Sequence, residues 1–440
     1  MRLLWVKAGK LLPVDTGGKI RSYNLLTHLT RWHDVTLLSY YPGPPDAAYH
    51  QDLKQVFPGA IAVPARLPAK VSVRGRFDFM KGLLSELPYT VHKHTTREVR
   101  ERVRKLLASG SFDLAVCDFL APSANFGLKA PIPVILFEHN VETILWERQA
   151  ANQTNAVTAL VYKLEASKMG RYETTAIRRF DHVIAVSEND GDWFRAHCGS
   201  SKVSVVPTGV DTRMYTRDGD SASDSSLIMF VGSMDWQANV DGVLHFCREI
   251  LPIVRTRLPG ARFRIVGRNP GPAIRNLAAE GIEVTGTVHS VVPHLCEAGV
   301  VVVPLRIGGG TRLKILEAMA MGKAIVSTTI GAEGLDVADG SEIVLADTPA
   351  DFASALLRLM LDDRERSWLG RNATLKAQQS GWDRAAAAFD KALVKALGGE
   401  TTPSAHSIDA AVGCHSSNEE GAGTARTSTS SAILSGGRQR

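Results

Sequence analysis

Residues 308–328 read GGGTRLKILEAMAMGKAIVST. Three glycines lead into two cations, Arg312 and Lys314, then a carboxylate, Glu317, then an apolar run. The preceding VVVVPL (300–305) has the composition of a buried strand, and LKILEAMAMG that of a helix starting near Thr311. At such a junction the backbone of Gly309 and Gly310 can approach an anion closely, and Thr311 can cap the helix or bond a phosphate. The helix N-terminus is electropositive, and Arg312 and Lys314 add charge beside it. Glu317, one to two turns in, can accept both hydroxyls of a ribose. These are the parts of a nucleotide-diphosphate clamp. The plainer alternative is a glycine loop followed by an i, i+3 Lys–Glu pair.

Four other strand-to-helix junctions carry polar groups. PVDTGGKIRSYNLLTHL (13–29) places Gly17 and Gly18 before a helix, where backbone amides can meet a phosphate. FEHNVET (137–143) sets Glu138, His139 and Asn140 after an apolar strand. A histidine there can move protons or bond a sugar hydroxyl, or simply be satisfied by backbone at a strand end. VGRNPG (266–271) brings Arg268 to a strand exit, and VGSMDWQANVDG (231–242) brings Gly232, Asp235, Trp236 and Asn239 to another.

Positioning these groups requires parallel sheets. The first half holds the short apolar runs LLWV (3–6), VTLLSY (35–40), LAVCDF (114–119), PVILFEH (133–139), HVIAVS (182–187) and VSVVP (203–207). The second half restarts the pattern with LIMFVGS (227–233), RFRIVGR (262–268), IEVTG (282–286), VVVVPL, AIVST (324–328) and EIVLA (342–346). Such runs fit strands buried on both faces, with helices between them. TRDGDSASDSS (216–226) reads as a surface linker. The expected fold is α/β: two doubly wound Rossmann-like domains facing a cleft, where ligands collect at the strand C-termini. From residue 399 the chain is rich in Gly, Ser and Thr and poor in large apolar residues, the composition of a disordered tail.

The totals agree. A chain of 440 residues is expected to form two domains, and 44% hydrophobic with 22% charged residues is the balance of a soluble globular protein. No run approaches the ~18 apolar residues of a membrane span. The N-terminal MRLLWVKAGKLLPVDTGG is interrupted by Lys7 and Lys10 and has no small-residue cleavage site, so it reads as a first buried strand. Five scattered cysteines without C-x-x-C spacing suggest neither zinc nor disulfides and favour a reducing, cytoplasmic setting. The formal charge is +6, and residues 66–105 hold eleven Lys or Arg against four Asp or Glu. Such a patch can meet anionic lipid at the inner face of a membrane, or be a solvated helix face such as REVRERVRKLL. Nucleic acid is disfavoured, because only Phe77, Phe79 and Tyr89 supply aromatics there.

In order along the first 397 residues, these pieces resemble the family 4 glycosyltransferases of GT-B architecture. GG at 17–18 is similar to the family's N-terminal phosphate loop, and EHN (138–140) to the place of its active-site histidine. VVPTGVD (205–211) resembles the interdomain PNGVD connection, with Thr208 for asparagine, and GGGTRLKILEAMAMGKAIVST resembles the nucleotide-sugar motif. SGWDRAAAAFDKAL (380–393) resembles the C-terminal helix that crosses back to the N-domain. GSMDWQANVDG, taken with the glycine motif, is similar to the branch associated with bacterial exopolysaccharide synthesis.

The resemblance implies an N-terminal acceptor domain (1–205, with 382–398 crossing back) and a C-terminal nucleotide-sugar domain (206–381). It implies a retaining sugar transfer, without a metal or other cofactor, from a nucleotide-diphosphate sugar to a glycan or lipid-linked glycan. His139, Arg312 and Lys314 would then serve catalysis. Gly17, Gly18, Gly232, Arg268, Gly309, Gly310, Thr311 and Glu317 would bind donor, and Glu138 and Asn140 acceptor. Two positions depart from the family pattern. Gly309 stands where the first of two glutamates is usual, and the Arg and Lys common after the first C-domain strand are missing, Met234 and Asn239 lying in that region instead. Arg312 and Lys314 are the natural replacements for that lost charge.

Overall fold

The structure, a computed structural model, describes residues 1–67, 82–153, 155–216, 223–309 and 312–399. Gly310 and Thr311, much of the linker, the middle of the basic stretch and the tail from residue 400 lie outside the described residues.

Seven parallel strands form the first sheet: β1 (Arg2–Ala8), β2 (Asp34–Pro42), β3 (Ile61–Ala65), β4 (Leu114–Asp118), β5 (Val134–Phe137), β6 (His182–Ala185) and β7 (Val203–Val205). Their order is β3-β2-β1-β4-β5-β6-β7. Six form the second: β8 (Asp224–Val231), β9 (Arg262–Val266), β10 (Ile282–Gly286), β11 (Ala298–Val303), β12 (Ala324–Ser327) and β13 (Val344–Leu345), in the order β10-β9-β8-β11-β12-β13. The two sheets are the two doubly wound domains expected from the sequence. In each, the strand order reverses at the first strand, which opens a crevice there at the strand C-termini. The apolar runs anticipate every strand but β3. Its sequence, IAVPA, contains Pro64, which lacks a ladder donor, and the strand sits at the sheet edge, paired only with β2.

Strands buried on both faces need helices on both. On one face of the first sheet, the Gly17–Leu29 helix and the last helix, Trp382–Ala396, pack over Trp5 and Phe137. The Phe389 ring lies 5.4 Å from Trp5 and 5.1 Å from Phe137. Thus the C-terminal helix completes the N-domain core, burying aromatic surface on both sides of the contact. On its way there, the chain crosses the interdomain connection closely. Val210 N donates to Ser380 O at 2.7 Å, and a methyl group at Gly209 would come within 2.7 Å of Trp382 Cα. The other face is covered by the Arg97–Leu107 and Ala156–Arg179 helices.

Candidate active site

At the C-terminal ends of β4 and β5, Asp118 gathers a buried network. Its Oδ2 accepts from Lys7 Nζ at 2.8 Å, Ser22 Oγ at 2.7 Å and Trp5 Nε1 at 3.0 Å. His139 Nε2 lies 2.8 Å from Asp118 Oδ1, and Arg21 Nη1 lies 2.9 Å from His139 Nδ1. A guanidinium only donates, so Nδ1 accepts and Nε2 carries the proton given to Asp118. His139 is therefore neutral, with one fixed tautomer. Burial lowers its pKa to about 3, against the upward pull of the Asp118 hydrogen bond. Burial pushes Asp118 up, but Lys7 and His139 outweigh it and hold the carboxyl below its usual range.

His139 does not stand in open cleft. It is 2% exposed, both ring nitrogens are engaged, and its ring stacks on Phe119 with centroids 3.6 Å apart. Phe119 has φ +75, in the left-handed region unusual for an aromatic residue, so the backbone there is strained. Its ring lies against Gly18, where a methyl group would come within 2.6 Å of it. Gly18 thus makes room for Phe119 at the start of the Gly17–Leu29 helix, which Thr16 caps. Glu138 is 1% exposed and its Oε1 has no hydrogen-bond partner. Burial, with Glu173 and Glu142 nearby, raises its pKa well above the carboxylate range.

On the C-domain side, the loops leaving β8 and β9 are joined, with Gly232 N donating to Val266 O at 2.9 Å. Lys314 projects from the Leu313–Ala320 helix into this corner. Its Nζ donates to Asn239 Oδ1 at 2.8 Å and lies 4.1 Å from the Phe230 ring centroid. A methyl group at Gly232 would come within 2.7 Å of Lys314 Nζ. The ammonium thus ends beside Asn239. Burial and Arg312 lower the Lys314 pKa to about 7.

The two expected cations separate. Arg312 is 4% exposed, and its guanidinium turns back to donate to Gly309 O and, at 3.4 Å, to Ile330 O. Gly308 permits this, since any side chain there would collide with the guanidinium. Glu317 is 8% exposed, and the Tyr215 hydroxyl bonds it from the interdomain connection.

The domains meet across the cleft through several of these groups. Arg268 pairs with Asp15, and its Nε donates to Ser233 Oγ at 2.8 Å. Arg148, on the Glu142–Ala151 helix, donates to Gly308 O and to Glu333, with Nη2 2.7 Å from Oε1. With its amide oriented to satisfy its neighbours, nitrogen towards the two carbonyls, Asn140 donates to His139 O and Gly309 O, each at 3.0 Å. Leu313 Cδ1 lies 3.5 Å from where a Gly17 Cβ would sit. Asn140 and Gly309, placed far apart in the chain by the sequence, are brought together. Glu138 is not brought into contact with the C-domain among the described pairs.

Asp118, Lys7, Tyr215 and Arg148 belong to none of the motifs, and Arg21, inside the 13–29 stretch, was not singled out. The available signal was a carboxylate ending an apolar strand in LAVCD and a lysine inside LLWVKA. Charges in such runs are costly unless paired, so they call for a partner.

Comparison with known proteins covers both sheets. Residues 16–214 match a family model described as Glycosyltransferase Family 4, and residues 225–362 match one described as Glycosyl transferases group 1. A D-inositol 3-phosphate glycosyltransferase of Paenarthrobacter aurescens is 27% identical over 346 residues, 72% of this chain and 81% of that protein. An uncharacterized 44.6 kDa protein in the cps region of Klebsiella pneumoniae is 22% identical over 360 residues, 78% of this chain and 87% of that one. Among solved structures, sucrose-phosphate synthase of Thermosynechococcus elongatus superposes with a TM-score of 0.68 at 15% identity, over 90% of this chain and 99% of its own. Anabaena HepE in complex with UDP-glucose gives 0.62 at 14% identity, over 89% and 99%. These two likenesses concern the fold. Taken with the two family models in succession along the chain, they show that it belongs to the family 4 glycosyltransferases of GT-B architecture.

Proposed function

We propose that this protein is a retaining glycosyltransferase that moves a sugar from a nucleotide-diphosphate sugar to a glycan or lipid-linked glycan in bacterial polysaccharide synthesis. The observation that carries the reading is the Lys314 ammonium set beside Gly232 and Asn239 at the C-terminal ends of the second sheet, opposite the Gly17–Gly18 helix start. A cation there neutralises charge that grows on the departing diphosphate. The amides of Gly309 and Gly310, Thr311 and Arg268 complete the phosphate cradle, and Glu317 receives the ribose. Arg312 holds the glycine loop in shape. His139 fixes the floor of the acceptor side through Phe119. The transition state resembles an oxocarbenium ion, and the reading requires neither a metal nor a covalent nucleophile. The neighbour HepE, solved with UDP-glucose, and the cps-region relative support a sugar nucleotide and a polysaccharide context.

The same reading places the enzyme in the cytoplasm, resting on the inner face of the membrane. In the Arg97–Leu107 helix, Val99, Val103 and Leu107 are buried while Arg97, Arg100, Arg102, Arg104 and Lys105 face outward. Exposed cations of this kind are attracted to anionic lipid at about 1 kcal/mol each. Sedimentation with anionic but not neutral liposomes, lost on added salt, is the expected result.

A panel of UDP-, GDP- and ADP-sugars read by thermal shift tests the donor assignment, because a bound donor stabilises the fold by mass action. Release of nucleoside diphosphate on adding acceptor then tests turnover. Gly309, standing where a glutamate is usual, favours one rival, a transferase-like binding protein without turnover. Donor binding without release would select it.

A further inference from the structure

Beside the Asp118 network lies a cavity of about 130 Å³ at the C-terminal ends of β1 and β4. Its walls include Thr90, His94, Asp118, Phe119, Glu142 and Met169. One wall is the Phe119 ring that stacks on His139. The cavity therefore adjoins the acceptor side of the cleft.

The charge on these walls is one-sided. Asp118 and Glu142 are the charged lining groups, and no Lys or Arg lines the cavity among the described residues. Asp118 is saturated by Lys7, Ser22, Trp5 and His139. Lys7, 4% exposed, is committed to Asp118 and Ser22. Lys93, whose charge reaches Glu142, stands over the Tyr89 ring outside the lining. The Glu142 carboxyl is half-buried at the helix start, where burial raises its pKa against the pull of the Asn140 side chain and Lys93, and its backbone N–H donates to Glu173 Oε1 at 2.8 Å.

Such walls offer hydrogen-bond acceptors to hydroxyl groups and repel a phosphate. We infer that the acceptor presents an uncharged, hydroxyl-rich sugar to this cavity, and that Glu142 is the residue that excludes phosphorylated acceptors. This rests on the transferase reading. It also separates the chain from its relatives named D-inositol 3-phosphate glycosyltransferase, whose name gives an acceptor that bears a phosphate.

The test uses the full chain and the donor found by thermal shift. Nucleoside-diphosphate release is measured with myo-inositol and methyl hexosides, and in parallel with D-inositol 3-phosphate and hexose 6-phosphates. Uncharged acceptors should give kcat/KM at least ~10-fold above their phosphorylated counterparts. Glu142→Gln should narrow that ratio at least ~5-fold, mostly through KM, while the donor thermal shift is unchanged. Glu142→Asp, which keeps the charge, should retain the discrimination. Phosphorylated acceptors used equally well, no stimulation by any uncharged sugar, or a ratio unmoved in Glu142→Gln would each overturn the inference. Failure of every donor to shift the melting temperature would instead sink the transferase reading beneath it.

Discussion

His139 Nε2 donates to Asp118 Oδ1 at 2.8 Å, and the same carboxylate neutralises Lys7. One acid thus fixes a tautomer and balances a buried ammonium. Asp118→Ala leaves Lys7 charged in the core with no counterion, which costs about 3–5 kcal/mol. Differential scanning calorimetry should show a fall of roughly 10 °C in Tm for a domain of this size. Lys7→Met combined with Asp118→Ala should recover much of it. An equal loss in the double variant would show that the pair is not coupled.

The same relationship predicts acid sensitivity. His139 has a native pKa of about 3 against 6.5 ordinarily, so between these values the unfolded chain binds a proton that the native one does not. Stability is therefore complete above pH 6.5 and is lost as pH falls towards 3. His182, lowered to about 4 by burial, acts in the same direction. Urea unfolding at pH 7 and pH 4.5 should show the loss, and His139→Gln should reduce it.

Lys314, with a pKa near 7, predicts a pH-dependent donor affinity. A diphosphate favours the ammonium, so above pH 7 binding must be accompanied by proton uptake. Affinity for nucleoside diphosphate should fall as pH rises from 7 towards 10 and be level below 7. Titration calorimetry in buffers of different ionisation enthalpy reads the uptake directly. In Lys314→Met the dependence should vanish; its survival would assign it to another group.

Glu317→Ala should weaken donor binding at least ~10-fold, because a charged hydrogen bond is worth roughly 1.5–3 kcal/mol. Tyr215→Phe removes the hydroxyl that bonds Glu317 and should have a smaller effect. Unchanged affinity in folded Glu317→Ala protein would remove the ribose assignment.

Arg148 and Glu333 join the two domains across the cleft. Both are partly exposed, so the pair is expected to contribute about 1 kcal/mol or less. Its loss should therefore show in shape more than in stability. Small-angle scattering of Arg148→Glu should give a larger radius of gyration, and adding Glu333→Arg should restore it. No change in either variant would show that other contacts hold the cleft closed.

The alternation of apolar runs determined the two parallel sheets, because strands buried on both faces must be apolar throughout. It also pointed to the candidate site, since strand ends and helix starts are where such sheets leave backbone groups and charges uncovered. The edge strand β3 escaped because its neighbours bury less of it and Pro64 breaks the pattern. What the sequence could not settle was which way each side chain turns. Lys314 reaches Asn239 through a gap left by Gly232, whereas Arg312, two residues earlier, folds back on its own loop. Asp118 meets Lys7, Ser22 and His139 only because β1, β4 and β5 lie side by side. Spacing along a chain records the period of one element. Contacts between elements depend on sheet order and on the small residues that let them close, and the tertiary structure decided those.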